Sequence, residues 1–159
     1  MEKKNWTGYD EITIYMAGNI RGKKACEVLE FFNSNTHYVI RRLIEVGIKC
    51  KVLSPIRGKN CDEVTGIWKN KHSLKEIIAR DEADVSKSDV VIIQTGDKPS
   101  DGSWFEFAYA HYVCKIPVLM VAPLRKSGEK VSWSNEKATF IGDTLEECVN
   151  WIIDYWMAR

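Results

Sequence analysis

The sequence predicts an α/β fold, an open parallel sheet of about five strands with helices on both of its faces. Short apolar, β-branched runs alternate with longer segments whose apolar residues recur at helical spacing, the pattern of strands joined by crossover helices. The run Val90 to Ile93 is uninterrupted, as in a central strand that helices cover on both sides. A chain of 159 residues can bury one such core, so we expect a single domain over residues 1–159, with residues 1–11 as an N-terminal extension.

The first three elements follow from apolar spacing and from the turns that end them. Residues 12–17 form a β-rich run that ends in a Gly-Asn turn. Residues 24–46 carry apolar side chains at helical spacing, and the cap-like residues 33–36 predict that this helix breaks or restarts near Asn35. Residues 49–53 form a second short strand, which a Ser-Pro pair closes.

The middle of the chain contains a long loop, a helix and the central strand. The polar residues 57–71 predict an irregular loop, and a long loop in a compact domain often carries function. Ser73 and Glu76 have the spacing of a capping box, which begins a helix over residues 73–85. The β-branched residues 89–95 form the central strand.

The last elements complete the alternation. Residues 103–114 gather apolar side chains on one side of a helix, and residues 117–122 form the next buried strand. After a polar loop comes a short strand at residues 139–141, and Asp143 or Thr144 caps a final helix. We interpret the aromatic residues of that helix as packing.

Composition argues against several partners. The net charge is +1 with no long run of like charges, so we expect no nucleic-acid polymer as a partner. The apolar runs are far shorter than the ~20 residues of a membrane span, and residues 1–10 lack the apolar stretch of a signal peptide. We therefore expect a cytoplasmic protein without a membrane partner. Its five widely spaced cysteines contain no C-x-x-C pair, which favours reduced, mostly buried thiols and no metal site.

Parallel α/β sheets bind ligands at the carboxyl ends of their strands, where the loop from Gly18 to Gly22 would lie. Its glycines can expose backbone N–H groups to an anion, and Arg21 adds a donor pair suited to phosphate. On this loop alone, an ordinary strand-to-helix turn with a solvent-facing arginine is the simpler interpretation.

Two acidic residues have the surroundings expected of catalytic groups. Glu106 lies in the first turn of its predicted helix, among aromatic residues such as Trp104 and Phe107. The helix dipole favours its charged form, whereas partial burial would raise its pKa. Asp81 lies beside Ile77 on the preceding predicted helix, over residues 73–85, so it either leans inward or adds one more charge to a solvated face. Asp84 fits a solvated face better.

Three blocks of sequence occur in an order and at a spacing that are typical of a known family. They are residues 15–18 after the first strand, Asp81 before the central strand, and residues 100–110 at the start of the following helix. Together they resemble the nucleoside 2-deoxyribosyltransferase superfamily over about residues 12–122. The likeness is greatest to its branch of 2′-deoxynucleoside 5′-phosphate N-hydrolases. The resemblance implies a Rossmann-like, more specifically flavodoxin-like, open sheet.

The resemblance also implies roles for single residues. Glu106 would attack the anomeric carbon of the sugar, Asp81 would position or protonate the departing base, and Tyr15 would belong to the same catalytic set. The substrate would be a small nucleotide or nucleoside, and neither a metal nor another cofactor is implied. The substrate-binding residues implied are Gly18, Asn19, Ile20, Arg21, Gly22, Ser100, Gly102 and Ser132.

Three features favour hydrolysis of a 5′-monophosphate. Transferases of the family usually carry an aspartate where this chain has Ser100, and a hydroxyl can donate to a phosphate that a carboxylate would repel. Residues 19–22 resemble the Ser-Ile-Arg-Gly loop of the N-hydrolases. Residues 127–132 resemble a segment in which the serine matching Ser132 comes from a neighbouring subunit, which implies a homodimer or a higher homo-oligomer.

Several alternatives stay open. The chain could transfer the sugar to a second base, or bind nucleotides without catalysis, since a fold does not fix a function. Ribonucleotides or a dinucleotide could replace deoxynucleotides as substrates. Arg57 precedes a glycine as Arg21 does and could hold the phosphate instead. Trp104 occupies a position that holds a small residue in many relatives, which would reshape the base pocket or the subunit contact.

Overall fold

The described part of the chain folds into a five-stranded, wholly parallel sheet with helices on both faces, as the sequence predicts. A computed structural model describes residues 11–20, 23–70, 72–94, 101–121 and 137–158. The strands lie in the order β2-β1-β3-β4-β5. They are β1 (Ile12–Gly18), β2 (Cys50–Leu53), β3 (Val90–Gln94), β4 (Val118–Val121) and β5 (Phe140–Gly142).

Among the described residues, four helices cover the sheet, two on each face. The buried residues Ile14 and Met16 of β1 pack with one pair of helices, while Tyr15 and Ala17 pack with the other pair. This alternation follows from the period of two along a strand. The helices are α1 (Ala25–Glu45), α2 (Leu74–Lys87), α3 (Asp101–Ala108) and α4 (Leu145–Met157); α1 and α4 share the Ile14 face, and α2 and α3 share the Tyr15 face.

Helix α1 is continuous, so the predicted break near Asn35 is wrong. Phe32, Val39 and Leu43 are fully buried on one side of α1, and this burial outweighs the weak helix propensity of the polar residues between them. Instead of ending a helix, Asn35 links α1 to the sheet: its Nδ2 donates to Oε1 of Gln94 at the end of β3, 3.1 Å away.

The ends of the other helices follow local signals. Ser73 accepts from the backbone of Glu76, and the Glu76 carboxylate accepts from the backbone of Ser73, which completes the predicted capping box. Thr144 caps α4. Helix α3 continues into a π-helical segment, Tyr109–Cys114, that ends at Lys115 in the left-handed conformation. In the described ranges no helix is long and apolar enough to cross a membrane.

One pair of cysteines contradicts the expectation of reduced thiols. Cys26 in the first turn of α1 and Cys61 in the loop before α2 form a disulfide with a Cα–Cα distance of 5.5 Å. The loop folds back over α1, where the backbone N–H of Ala25 donates to the carbonyl of Gly66. Their 35-residue separation hid this proximity in the sequence. The other three cysteines are free thiols.

Candidate active site

A tyrosine from the centre of the sheet holds the carboxyl group of Glu106. Tyr15 is fully buried on the face that α2 and α3 cover. Its hydroxyl donates to Oε1 of Glu106 at 2.9 Å. Glu106 lies in the second turn of α3, one turn later than the sequence suggested, because α3 already begins at Asp101. The hydrogen bond joins two of the three predicted catalytic residues.

Burial shifts the proton affinity of this pair. The pKa of Glu106 is raised to about 8, mainly by desolvation; the hydrogen bond from Tyr15 opposes this rise and the charge of the nearby Asp81 adds to it. Burial also raises the pKa of Tyr15 well above its ordinary value. A carboxyl group with so perturbed a pKa, next to a second acid, is typical of a functional site.

Asp81 leans inward from α2 toward the same tyrosine. Burial raises the pKa of Asp81 to about 6, and the charges of Lys59 and Arg80 oppose this rise, as does the nearby hydroxyl of Tyr15. Its Oδ1 atom is buried and accepts no hydrogen bond from the described residues. Of the two interpretations left open by the sequence, the structure therefore favours the inward one, and Tyr15 stands between the two acids.

The last residue of β1 and the described residues that follow it pack against α1. A Cβ atom on Gly18 would lie 3.0 Å from Cζ of Phe32, so only glycine fits there without displacing that ring. Ile20 packs on the small buried cluster that contains Phe32, and Asn19 is partly buried. Gly102 is exposed in the first turn of α3. Four predicted substrate-binding residues lie outside the described residues: Arg21, Gly22, Ser100 and Ser132.

Asp84 is not on a solvated face, which corrects the sequence-based interpretation. It is only 4% exposed, because the loop after β2 covers this side of α2. The Arg57 guanidinium lies 3.2 Å from the Asp84 carboxylate, and Arg80 lies 3.9 Å from it. Arg80 also donates to the backbone carbonyl of Arg57. Arg57 therefore has a carboxylate partner in the protein.

A cavity of about 280 Å³ opens beside Asp81, between α2 and the loop after β2. The sequence predicted that this loop carries function, but it did not identify the residues that the loop contributes to the cavity. Burial lowers the pKa of Lys59, while the charge of Asp81 opposes this effect. Within the described ranges, no three metal-ligating side chains converge. The cavity is lined by Pro55, Lys59, His72, Glu76, Ile77, Arg80 and Asp81.

The chain has the flavodoxin-like fold of the deoxyribosyltransferases, as comparison with solved structures shows. No protein-family model and no curated protein sequence matches it. A 2-deoxyribosyltransferase from Bacillus psychrosaccharolyticus has 17% identity and a TM-score of 0.57, with 87% of this chain and 90% of that chain covered.

Two further structures share the fold. The CMP N-glycosidase BcmB from Clostridium botulinum has 13% identity and a TM-score of 0.52, over 90% of this chain and 98% of that one. A 2-deoxyribosyltransferase from Leishmania mexicana has 18% identity and a TM-score of 0.52, over 90% of this chain and 97% of that one. At these identities the likeness shows the fold.

Proposed function

We propose that the protein is an N-glycosidase that hydrolyses the base–sugar bond of a deoxynucleoside or nucleoside 5′-monophosphate. The observation that carries the proposal is the hydrogen bond of 2.9 Å between Tyr15 and Glu106, with Asp81 near the same hydroxyl. Solved proteins of this fold include a CMP N-glycosidase and 2-deoxyribosyltransferases. Both activities break a base–sugar bond, which supports the same class of reaction here.

In the proposed first step, the ionised carboxylate of Glu106 attacks C1′ of the sugar. The C1′–N bond breaks, its electron pair goes to the base, and Asp81 supplies a proton to the base nitrogen. The product is a glycosyl ester on Glu106. The Tyr15 hydroxyl fixes the orientation of the attacking carboxylate, because it donates to Oε1 and leaves Oε2 for the sugar.

In the second step water replaces the enzyme at C1′. The ionised Asp81 accepts a proton from the water, the oxygen bonds to C1′, and the ester bond to Glu106 breaks. Free base and a sugar 5-phosphate result. The two acids thus return to their starting protonation states, as acid–base catalysis requires.

The 5′-phosphate is proposed to bind at residues 18–22, with Arg21 as its bidentate donor and with Ser100 and Gly102 nearby. Ser132 of the partner subunit would complete the site. One structural observation supports Arg21 over Arg57: the Arg57 guanidinium pairs with the buried Asp84, and a phosphate would have to compete with that carboxylate. No step of the reaction requires a metal.

The direct test is to incubate the protein with nucleosides and their 5′-monophosphates and to measure the free base. We expect base release from a monophosphate, a loss of several orders of magnitude in Glu106→Gln, and a glycosyl adduct on Glu106 in the mass spectrum of a slowly turned-over analogue. Normal turnover by Glu106→Gln would refute the mechanism. A preference of wild type for free nucleosides would refute the phosphate site.

A deoxyribosyltransferase is the second candidate, because two of the solved proteins with this fold are named as such. The same glycosyl ester would then be attacked by a second base instead of water. Product analysis with and without an added acceptor base separates the two activities. Formation of a new nucleoside at the expense of free sugar would favour the transferase.

A further inference from the structure

Two amide side chains occupy positions where the packing pattern calls for apolar residues. Phe32 and Val39 belong to the buried side of α1, and Asn35 lies between them at helical spacing, one turn from each. Strand β3 is apolar up to its last residue, Gln94, which is only 9% exposed. A buried amide carries a desolvation cost that an apolar side chain avoids. Polar residues that break a local pattern in this way are typical of functional sites.

The two amides are hydrogen-bonded to each other, and this bond fixes which way the glutamine amide faces. The Nδ2 group of Asn35 donates to Oε1 of Gln94 at 3.1 Å. Because its oxygen is engaged, the Gln94 amide presents the two N–H groups of Nε2. Among the described residues, none accepts a hydrogen bond from this Nε2 group. Gln94 is therefore able to donate to a ligand.

Gln94 ends the central strand at the edge of the sheet where the proposed reaction takes place. It pairs with Gly18, the last residue of β1, in the parallel register, and open parallel sheets bind ligands at this edge. Its side chain lies on the α1 face of the sheet, whereas Tyr15 and its partner Glu106 lie on the face that α2 and α3 cover. A ligand that crosses the carboxyl ends of β1 and β3 can therefore reach both Glu106 and Gln94.

We propose that Gln94 binds the 5′-phosphate of the substrate and that Asn35 is its positioning residue. The inference rests on the proposed function, in which C1′ lies at Glu106 and the base leaves beside Asp81 on α2. In a nucleotide the base and the 5′-phosphate are attached at opposite sides of the sugar ring. The phosphate therefore extends away from α2, toward the α1 face of the same edge. Its oxygens accept hydrogen bonds and the Nε2 group donates them, so the two are complementary.

NMR of the Gln94 side chain tests this assignment without turnover. Gln94 is the only glutamine of the chain, so selective ¹⁵N labelling of the glutamine side chain gives a single pair of amide signals. We expect millimolar 2-deoxyribose 5-phosphate to shift these signals and 2-deoxyribose, which lacks the phosphate, to leave them in place. Gln94→Met and Gln94→Glu both remove the donor. Each should weaken binding of 2-deoxyribose 5-phosphate, followed on the backbone amides, about tenfold or more, as one lost charge-assisted hydrogen bond implies.

The positioning role of Asn35 has a matched control on the same helix. The carboxylate of Asn35→Asp has no N–H for Oε1 of Gln94; it accepts from Nε2 instead and turns the donor away from the ligand. We expect the Gln94 amide signals to move in the free protein and the affinity for 2-deoxyribose 5-phosphate to fall about tenfold. Asn33→Asp introduces the same charge on the exposed side of α1 and should change neither.

Gln94 signals that do not respond to 2-deoxyribose 5-phosphate would overturn the inference. So would an equal response to 2-deoxyribose, or a Gln94→Met variant that binds the phosphate sugar as tightly as wild type. If the phosphate sugar binds through Gln94 but no nucleotide is cleaved, the proposed function fails and the assignment of Gln94 stands. If 5′-monophosphates are cleaved with an unchanged kcat/KM in Gln94→Met, only the assignment of Gln94 fails.

Discussion

At the scale of single residues, Glu106 and Asp81 have pKa values in an unusual order. The pKa of the proposed nucleophile, about 8, lies above that of the proposed acid, about 6. Between pH 6 and pH 8, Glu106 and Asp81 together hold one proton, which resides mostly on Glu106. The productive form, with Glu106 ionised and Asp81 protonated, is a minor arrangement of the same singly protonated pair. Burial is the larger cause of both shifts.

This order predicts a bell-shaped dependence of kcat/KM on pH that loses its alkaline side in Asp81→Asn. Wild type should peak between pH 6 and 8, because one proton must be present and one absent. Asparagine has no proton to lose, so the variant should be slower but should rise with pH to a plateau. The check is kcat/KM from pH 5 to 9.5 for wild type, Asp81→Asn and the neighbouring control Glu82→Gln. An alkaline fall that persists in Asp81→Asn would exclude Asp81 as the acid.

The burial of Glu106 also predicts that its removal stabilises the protein. In the unfolded chain this carboxyl ionises near 4.5, and in the folded chain near 8. Stability should therefore be lost as pH rises between these values, since the unfolded state releases the proton first. At pH 8, Glu106→Gln should be more stable than wild type by roughly 2–4 kcal/mol. The gain in stability should vanish at pH 4. Denaturant unfolding of both proteins at pH 4 and pH 8 measures it. An equal gain at both pH values would show that the substitution acts through packing and not through the charge of Glu106.

At the scale of elements, the disulfide between Cys26 and Cys61 fixes the loop that carries Lys59 to the start of α1. Closing a loop of this length should stabilise the fold by about 2–4 kcal/mol. We expect dithiothreitol to lower the urea midpoint of wild type and to leave a Cys26→Ser/Cys61→Ser variant unchanged. Cys148→Ala, at a free buried thiol, is the control that should keep its sensitivity to reductant. A wild type that is indifferent to reductant would contradict the bond.

The strands, α1 and the loop after β2 show how much of the fold could be predicted from the sequence. The apolar runs identified the five described strands, and the local signal is strongest for β1, β3 and β4, which are buried on both faces. The predicted break in α1 rested on cap-like residues, whose weak propensities Phe32 and Val39 override through tertiary burial. Lys59 and Asp84 acquired their positions only when the loop after β2 docked on α2. No local pattern in the sequence records such a contact.

At the scale of the whole molecule, α3 and its π-helical continuation expose an apolar stripe. Phe105, Tyr112 and Val113 are 51%, 43% and 64% exposed. The Phe105 ring also stacks on Tyr109, with the ring planes 8° apart. Exposed aromatic residues that adjoin one another are typical of interfaces. The stripe lies on the helix that carries Glu106, so a partner bound there would sit close to the active site.

We therefore predict a homodimer that forms through this stripe. Light scattering should give wild type a mass of about twice the 18.3 kDa of one chain, because symmetric dimers are the commonest assembly. Val113→Glu should reduce the mass to that of one chain. It should also lower activity on 5′-monophosphates, since Ser132 of the partner subunit would be lost from the proposed phosphate site. Ile44→Glu, at a residue of α1 that is 62% exposed, should leave mass and activity unchanged. A wild-type mass of one chain at full activity would contradict both the dimer and the shared site.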